Sequence, residues 1–138
     1  MNKEKALELA KKAAVAREAS YSPYSNFAVG AALLTDNGEI FTGANIESSS
    51  YTPTVCAERV AFFSAVHHGH RNFSAIAITG GKAGEPLSDF CPPCGVCRQV
   101  MAEFANGEFE IILYNGNDVR IYTLSELLPA GFNKDNLK

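Results

Sequence analysis

Three cysteines and one glutamate, in two short segments, are the residues of this chain best suited to chemistry. Cys56 and Glu58 stand in the segment Cys-Ala-Glu-Arg, and Cys94 and Cys97 stand in Pro-Cys-Gly-Val-Cys-Arg-Gln. Structural zinc sites use four tetrahedral protein ligands, whereas catalytic sites keep one position for water. Three thiolates leave that position free, and a glutamate two residues from a ligand is placed to move the water's proton. The pattern therefore indicates a zinc site that performs hydrolysis.

Each of the two segments also contains an arginine next to the candidate ligands. Three thiolates on a divalent ion leave the cluster with a net negative charge, which makes bound water less acidic. Arg59 and Arg98 directly follow Glu58 and Cys97. We expect both guanidinium groups to donate to ligand sulfur and to offset that charge.

The elements that must position these residues alternate along the chain. Hydrophobic spacing predicts helices, and apolar runs bounded by turn residues predict strands. An Asn-Gly turn predicts a hairpin between the first two strands, and Thr-Leu-Ser-Glu is a capping-box pattern for a short last helix. The predicted helices cover 2–20, 56–68, 94–105 and a short segment from 123, and the predicted strands cover 27–35, 40–46, 73–79, 109–114 and 119–122.

This order predicts the fold class and places the ligands within it. Strands separated by helices usually lie parallel, so we expect one α/β domain over residues 1–138, with a five-stranded mixed sheet flanked by helices. Cys56, Cys94 and Cys97 then lie in the first turns of two helices, the first of which Thr54 is predicted to cap. Helix N-termini carry partial positive charge and free N–H groups, which favour thiolates.

Composition excludes several classes of partner. The net charge of −3 lacks the basic excess of a nucleic-acid-binding surface. The longest apolar run, 27–34, is far short of the roughly 20 residues that span a membrane. The N-terminal segment has an amphipathic pattern instead of a signal peptide's apolar region. We therefore expect a cytoplasmic protein with reduced cysteines, binding neither nucleic acid nor membrane.

Several of these residues also have simpler explanations. A Cys-x-x-Cys pair by itself is often a redox pair or half of a structural zinc site. Glu58 alone could be a solvated helix residue, and Asn45 with Glu47 could cap a loop. Cys91 precedes Cys94 by three positions and is a rival ligand, although its place before two prolines favours a partly buried spare thiol. His67, His68 and His70 are possible metal ligands, but two of them lie at a predicted helix end, where they suit the helix dipole. Phe27 and Phe132 would by default be core aromatics.

Taken together, the motifs resemble those of the small, homotetrameric cytidine deaminases over nearly the whole chain. Besides the two cysteine segments, the matching stretches are 21–33, which resembles the family's opening, 45–47, which resembles its ribose-binding segment, and 127–132, which resembles its C-terminal signature. The wider class of zinc deaminases carries His or Cys before the glutamate, and this chain has the three-cysteine version.

The resemblance implies a three-layer cytidine-deaminase-like fold and one zinc ion per subunit. It implies hydrolysis of cytidine and deoxycytidine to the uridine products and ammonia, in pyrimidine salvage, with Glu58 as the proton shuttle. It also implies that the Ala57 backbone binds the base carbonyl. Asn45 and Glu47 would hold the ribose, and Phe27 would pack against the nucleoside. In a homotetramer with shared active sites, Tyr51 and Phe132 would reach the substrates of neighbouring subunits.

Two stretches depart from the family's usual pattern, and three alternatives stay open. Residues 48–53 carry Ser and Thr-Pro where Asn, Ala and Gly are usual, and Cys91 with Pro92 replaces an aliphatic and a small residue. Blasticidin S deaminases share the zinc motifs. Nucleic-acid deaminases need a basic groove that the acidic balance argues against. A non-enzymatic zinc or thiol-redox module would leave Glu58 without a purpose.

Overall fold

The computed structural model describes residues 1–138 and centres on a five-stranded mixed sheet. Its strands are β1 (Phe27–Thr35), β2 (Ile40–Ala44), β3 (Phe73–Lys82), β4 (Glu110–Tyr114) and β5 (Val119–Thr123). They lie in the order β2-β1-β3-β4-β5, with β3 and β4 parallel and every other neighbouring pair antiparallel. The helices are α1 (Lys3–Ala16), α2 (Ala57–His67), α3 (Gly95–Phe104) and α4 (Leu124–Leu127), with 3-10 turns at Arg17–Ala19 and Lys134–Leu137.

The helices cover both faces of the sheet and produce three layers. Helix α1 buries its alanine-rich side against one face, where the small side chains let helix and sheet approach closely. Helices α2, α3 and α4 lie over the other face, around Phe62 and Met101. The alternation of side chains along each strand divides the apolar residues between these two cores. The predicted α/β class, the mixed sheet and the three layers are confirmed.

Two close approaches fix α1 and α2 against the sheet. A Cβ added to Gly30 of β1 would lie 2.0 Å from the Ala13 carbonyl oxygen of α1. A Cβ added to Gly43 of β2 would lie 2.4 Å from the Ala57 carbonyl oxygen, in the first turn of α2. Only glycine fits at either position, so the sheet determines where α2, and the candidate site residues at its start, are placed.

The structure corrects several predicted boundaries. Strand β3 continues through Gly80 and Gly81 to Lys82, because the start of β1 offers backbone partners as far as Phe27. Helix α1 becomes a 3-10 turn after Ala16, short of the predicted helical end. No helix has both the length and the apolar character needed to cross a bilayer.

The start of α2 also differs from the prediction. Cys56, and not Thr54, is the residue at the N-cap, and its side chain makes no capping hydrogen bond. The Thr54 hydroxyl accepts instead from the Ser48 N–H, at 3.0 Å. The predicted capping box at the start of α4 is present, with Thr123 and Glu126 bonded reciprocally.

Candidate active site

Three cysteine sulfur atoms meet where α2 and α3 begin. Cys56 is the N-cap of α2 and Cys94 the N-cap of α3, while Cys97 lies one turn into α3. The Sγ atoms of Cys56 and Cys94 are 3.8 Å apart, those of Cys94 and Cys97 are 3.5 Å apart, and all three lie within 4.8 Å of one another. The two helix starts therefore form one cluster from residues separated by as many as 41 positions (97 − 56).

This cluster fits a zinc ion. Bonds of about 2.3 Å at a tetrahedral zinc place neighbouring sulfur atoms about 3.8 Å apart, close to the observed separations. Hydrogen bonds from Cys97 and Arg59 lower the pKa of the Cys56 thiol to about 5, although burial opposes them. A thiol that is already ionised near neutral pH is ready to bind a divalent metal. Three sulfur donors leave a fourth tetrahedral position for another ligand.

Glu58 is a buried carboxyl beside this cluster. It occupies the second position of α2, two residues after Cys56, and only 4% of its surface is exposed. Burial is the main cause that raises the pKa of Glu58 to about 7; the charge of Cys56 acts in the same direction, and hydrogen bonds oppose it. A carboxyl with this pKa exchanges protons readily at neutral pH. The surroundings of Glu58 therefore suit a group that carries protons.

The two arginines have different partners. Arg59 donates from Nη2 to the Cys56 sulfur at 3.5 Å, while its Nε is buried without a hydrogen-bond partner. Arg98 departs from the prediction that it donates to ligand sulfur. Its Nε donates to the Pro93 carbonyl at 2.8 Å and its Nη1 to the Leu127 carbonyl at 2.6 Å. Backbone carbonyls within reach take its N–H groups away from the cluster.

The side chain of Asn45 follows β2 and fastens the start of β1. Its Oδ1 accepts from the Val29 N–H at 2.9 Å and from the Ser20 hydroxyl at 2.5 Å. Its Nδ2 donates to the Phe27 carbonyl at 2.8 Å. In this structure Asn45 therefore fixes the backbone on both sides of Ala28, at the strand end that presents Phe27.

Glu47 binds the turn that precedes β1. Its Oε1 accepts from the N–H groups of Tyr24 and Ser25, at 3.0 and 3.1 Å, and its Oε2 accepts from the Ser25 hydroxyl. The Ser25 bonds are the largest cause of a lowered pKa for Glu47, so the carboxylate is ionised. A cavity of about 310 Å³ is lined by Glu47, Tyr51 and their neighbours. An ionised carboxylate at such a cavity can accept a ligand hydroxyl.

The remaining candidates lie at two kinds of position. Ala57 is fully buried in the first turn of α2, where backbone N–H groups lack helical partners. Phe27, Tyr51 and Phe132 expose 42%, 75% and 58% of their surfaces, far more than core aromatics would. The default assignment of Phe27 and Phe132 to the core is therefore wrong for this chain.

Two contributors to the site were not found by sequence reasoning. Ser25 joins Glu47 to the start of β1, because its hydroxyl also accepts from the Phe27 N–H at 3.1 Å. Gly43 allows α2 to approach β2. The position of Ser25 two residues before a strand is a weak turn signal, and a single glycine in a strand indicates close approach only in general terms.

The chain has a three-layer α/β fold, with three thiols and a buried carboxyl at two helix starts. These features place it in the class of zinc-dependent hydrolytic enzymes. The model of the cytidine and deoxycytidylate deaminase zinc-binding region matches residues 2–112. The chain belongs to the cytidine and deoxycytidylate deaminase family. The match and the sulfur cluster confirm the predicted family and zinc cofactor.

Named relatives and solved structures agree with this assignment. The chain is 49% identical to a cytidine deaminase from Sporosarcina psychrophila, over 99% of this chain and 96% of that protein. It is 35% identical to a blasticidin-S deaminase from Bacillus cereus, over 78% of each. The crystal structure of cytidine deaminase from Burkholderia pseudomallei superposes with a TM-score of 0.83 at 45% identity, covering 91% of this chain and 98% of that one.

Proposed function

We propose that this chain is a cytidine deaminase that hydrolyses cytidine and deoxycytidine to uridine and deoxyuridine, releasing ammonia in pyrimidine salvage. The observation that carries the proposal is the buried Glu58 carboxyl beside three sulfur atoms spaced for zinc. The 49% identity with a protein named cytidine deaminase, over almost the full length of both, supports the choice of substrate.

The metal ligands in this proposal are Cys56, Cys94 and Cys97. The chemistry that zinc supplies when bound is the acidification of a water molecule, which makes a nucleophile available at neutral pH. Arg59 acts on this centre by donating to the Cys56 sulfur, which offsets the negative charge of the thiolates.

Glu58 moves the protons of the reaction. Its carboxylate accepts a proton from the attacking water and delivers it to N3 of the cytosine ring, so that the water oxygen bonds to C4. Glu58 then transfers the second water proton to the amino group. The C4–N4 bond breaks, ammonia leaves, and C4 becomes a carbonyl carbon. The pKa of about 7 suits both directions of transfer, because neither protonation state is strongly favoured at neutral pH.

The substrate-binding residues surround this reaction. The Ala57 N–H, at the start of α2, donates to the base carbonyl, and Phe27 packs against the nucleoside. Glu47 and Asn45 hold the ribose. The ionised Glu47 accepts a ribose hydroxyl, so a ligand without that hydroxyl leaves the carboxylate unpaired. Asn45 also fixes the strand end that carries Phe27.

The assembly in this proposal is a homotetramer in the cytoplasm. Tyr51 and Phe132 are exposed aromatics that reach the substrates of neighbouring subunits. Exposed apolar residues of this size mark interaction surfaces when they cluster. Other large apolar side chains exposed on the surface are those of Ile46, Phe63 and Val96.

A reducing compartment suits a site made of thiols, and all four cysteines are free.

The test is the substitution Glu58→Gln, which keeps the shape of the side chain and removes its proton transfer. We expect zinc content to stay at one ion per subunit while cytidine turnover falls by roughly 10²–10⁴-fold. Turnover is followed by the absorbance change from cytidine to uridine, with metal analysis on the same sample. Glu103→Gln, on the exposed side of α3, is the matched control. Native protein that binds zinc and turns over no cytidine would refute the proposal.

The same assay separates the blasticidin-S alternative, which the Bacillus cereus relative raises. We expect kcat/KM for cytidine to exceed that for blasticidin S, since the relative named cytidine deaminase is the more similar of the two. The reverse order of kcat/KM would assign the chain to the antibiotic.

A further inference from the structure

We propose that Arg98 and Gln99 are positioning residues that fasten the C-terminal arm, defined as residues 128–132, to the helix that carries two metal ligands. The catalytic consequence of this anchor rests on the function proposed above, in which Phe132 at the end of the arm contacts substrate. The anchor itself is a property of the fold and can be tested without activity.

Two side chains from the start of α3 hold the two ends of the arm. The Arg98 guanidinium donates to the Leu127 carbonyl at 2.6 Å, immediately before the arm. The Gln99 amide donates from Nε2 to the Phe132 carbonyl at 2.8 Å. Arg98 and Gln99 are adjacent in sequence, so one turn of helix fixes the segment at both ends.

Arg98 also connects the arm to the loop that leads into Cys94. Its Nε donates to the carbonyl of Pro93, the residue directly before Cys94. A cation near a helix N-terminus is opposed by the helix dipole, so an arginine in this position needs favourable contacts elsewhere. The two carbonyl acceptors supply them, and the planar guanidinium bridges loop and arm in a fixed geometry.

The arm has a conformation that its own sequence does not favour. Ala130 has a φ of 53°, in the left-handed region that costs a non-glycine residue stability. Gly131 lies against Leu128 so closely that an added Cβ would be 2.8 Å from the Leu128 Cγ. Backbone of this kind persists only where surrounding contacts hold it in place. The bonds from Arg98 and Gln99 are such contacts, and Phe132 itself is mostly exposed.

A fluorescent reporter tests the anchor directly. The native chain contains no tryptophan, so Phe132→Trp introduces a single tryptophan emitter at the end of the arm. We expect Gln99→Glu, which replaces the donor by an acceptor, to increase the amplitude of fast local depolarisation roughly twofold in time-resolved anisotropy. Gln99→Lys retains a donor and should restore the native amplitude. Identical anisotropy in the Gln99→Glu and native reporters would overturn the anchor.

Arg98 is examined in the same reporter with a check on folding. Arg98→Ala should loosen the arm as Gln99→Glu does, and circular dichroism together with zinc content shows whether the variant is folded. If Arg98→Ala does not fold, the exposed Gln99 variants still decide the question. A folded Arg98→Ala protein whose arm stays as rigid as the native one would overturn the role of Arg98.

Kinetics then separate positioning from general stability. In the chain with its native Phe132, we expect Gln99→Glu to raise the KM for cytidine roughly fivefold to tenfold, the effect of one lost hydrogen bond, with a smaller change in kcat. Gln99→Lys and the control Glu103→Gln should keep the native KM. A loosened arm with unchanged KM would overturn the positioning role. A native chain without deaminase activity would refute the proposed function and leave the anisotropy result standing.

Discussion

Glu58 and Cys56 lie two residues apart, and their surroundings shift their pKa values in opposite directions. Burial raises the pKa of the Glu58 carboxyl to about 7. Hydrogen bonds from Cys97 and Arg59 lower the pKa of the Cys56 thiol to about 5. Near neutral pH the site thus contains an ionised sulfur for metal binding and a carboxyl that is partly protonated. Two functions follow from one helix start because one side chain points into the interior and the other toward hydrogen-bond donors.

The raised pKa of Glu58 predicts how the stability of the zinc-free chain depends on pH. The folded chain holds this proton more tightly than the unfolded chain, so the free energy of unfolding falls as pH rises from about 4.5 to about 7. Glu58→Gln removes this contribution. Urea unfolding of both proteins, reduced and with chelator, should show native stability falling relative to the variant across this window and levelling above it. A constant difference would contradict the raised pKa.

Arg59 gives a second prediction at this scale. Because its guanidinium donates to the Cys56 sulfur, Arg59→Ala should leave the thiolate charge less compensated and make the activated water less acidic. We expect kcat to fall by roughly 10–100-fold, with a smaller change in KM. Steady-state kinetics and zinc analysis measure this, with Arg59→Lys retaining charge as the control. Unchanged turnover in a zinc-loaded Arg59→Ala protein would refute the role.

Local spacing predicted that Cys94 and Cys97 lie together, whereas contacts between residues far apart in the sequence cannot be predicted in this way. Cys94 and Cys97 are three positions apart on one helix, so their proximity follows from helix geometry. The acceptors of Arg98 include the carbonyl of Leu127, which is 29 positions along the chain and has no side-chain signature. Every residue carries such a carbonyl, so no sequence pattern distinguishes the one that a side chain will reach.

The helices place the site, and the sheet places the helices. Cys56 and Cys94 are the N-caps of α2 and α3, so the metal cluster depends on how these two helix starts approach each other. Gly43 of β2 sets that approach for α2, because its missing side chain leaves room for the Ala57 backbone. A small change in the sheet therefore moves Cys56 and Glu58 together.

Gly43→Ala tests this dependence. Its Cβ would lie 2.4 Å from the Ala57 carbonyl oxygen and 2.7 Å from the Ala61 nitrogen, and both are backbone atoms that cannot rotate away. We expect a loss of about 1–3 kcal/mol in the free energy of unfolding and a weaker affinity for zinc. Chemical denaturation and zinc titration measure the two effects. Gly95→Ala, whose Cβ would meet nothing within 4 Å, is the stability control, and equal stability of the two variants would contradict the explanation.

Helices and strands could be told apart in the sequence because their hydrophobic periods differ. The ends of some strands, however, depend on the strands with which they pair. The glycine pair at 80–81 resembles a strand end, yet β3 continues because residues 27–29 pair with it. A Cβ on Gly80 would lie 2.9 Å from the Cys91 Sγ, so this glycine permits packing within the strand. Cys91 therefore packs against Gly80 and is partly buried, which agrees with its predicted role as a spare thiol.

At the scale of the whole molecule, the site of a single chain is incomplete in the proposed function. Glu58 and the sulfur cluster are internal to one chain, whereas Tyr51 and Phe132 expose most of their surfaces. Symmetric assembly lets the same exposed residue serve an identical site on a neighbour. Removing the chain from Leu128 onward should therefore abolish activity and change the mass in solution, measured by light scattering. An active truncated protein of unchanged mass would count against a shared site.

Mixed assemblies test whether the aromatic of one chain serves the glutamate of another. Glu58→Gln alone lacks proton transfer and Phe132→Ala alone lacks the aromatic, so each pure protein should have little activity. When the two are co-expressed in equal amounts, about a quarter of the sites in random tetramers combine an intact Glu58 with a neighbour's intact Phe132. The purified mixture should then reach about a quarter of native kcat/KM, since the functional groups come from different chains. If Phe132 serves its own chain, no site in the mixture is complete, and the activity would equal the average of the two parent variants.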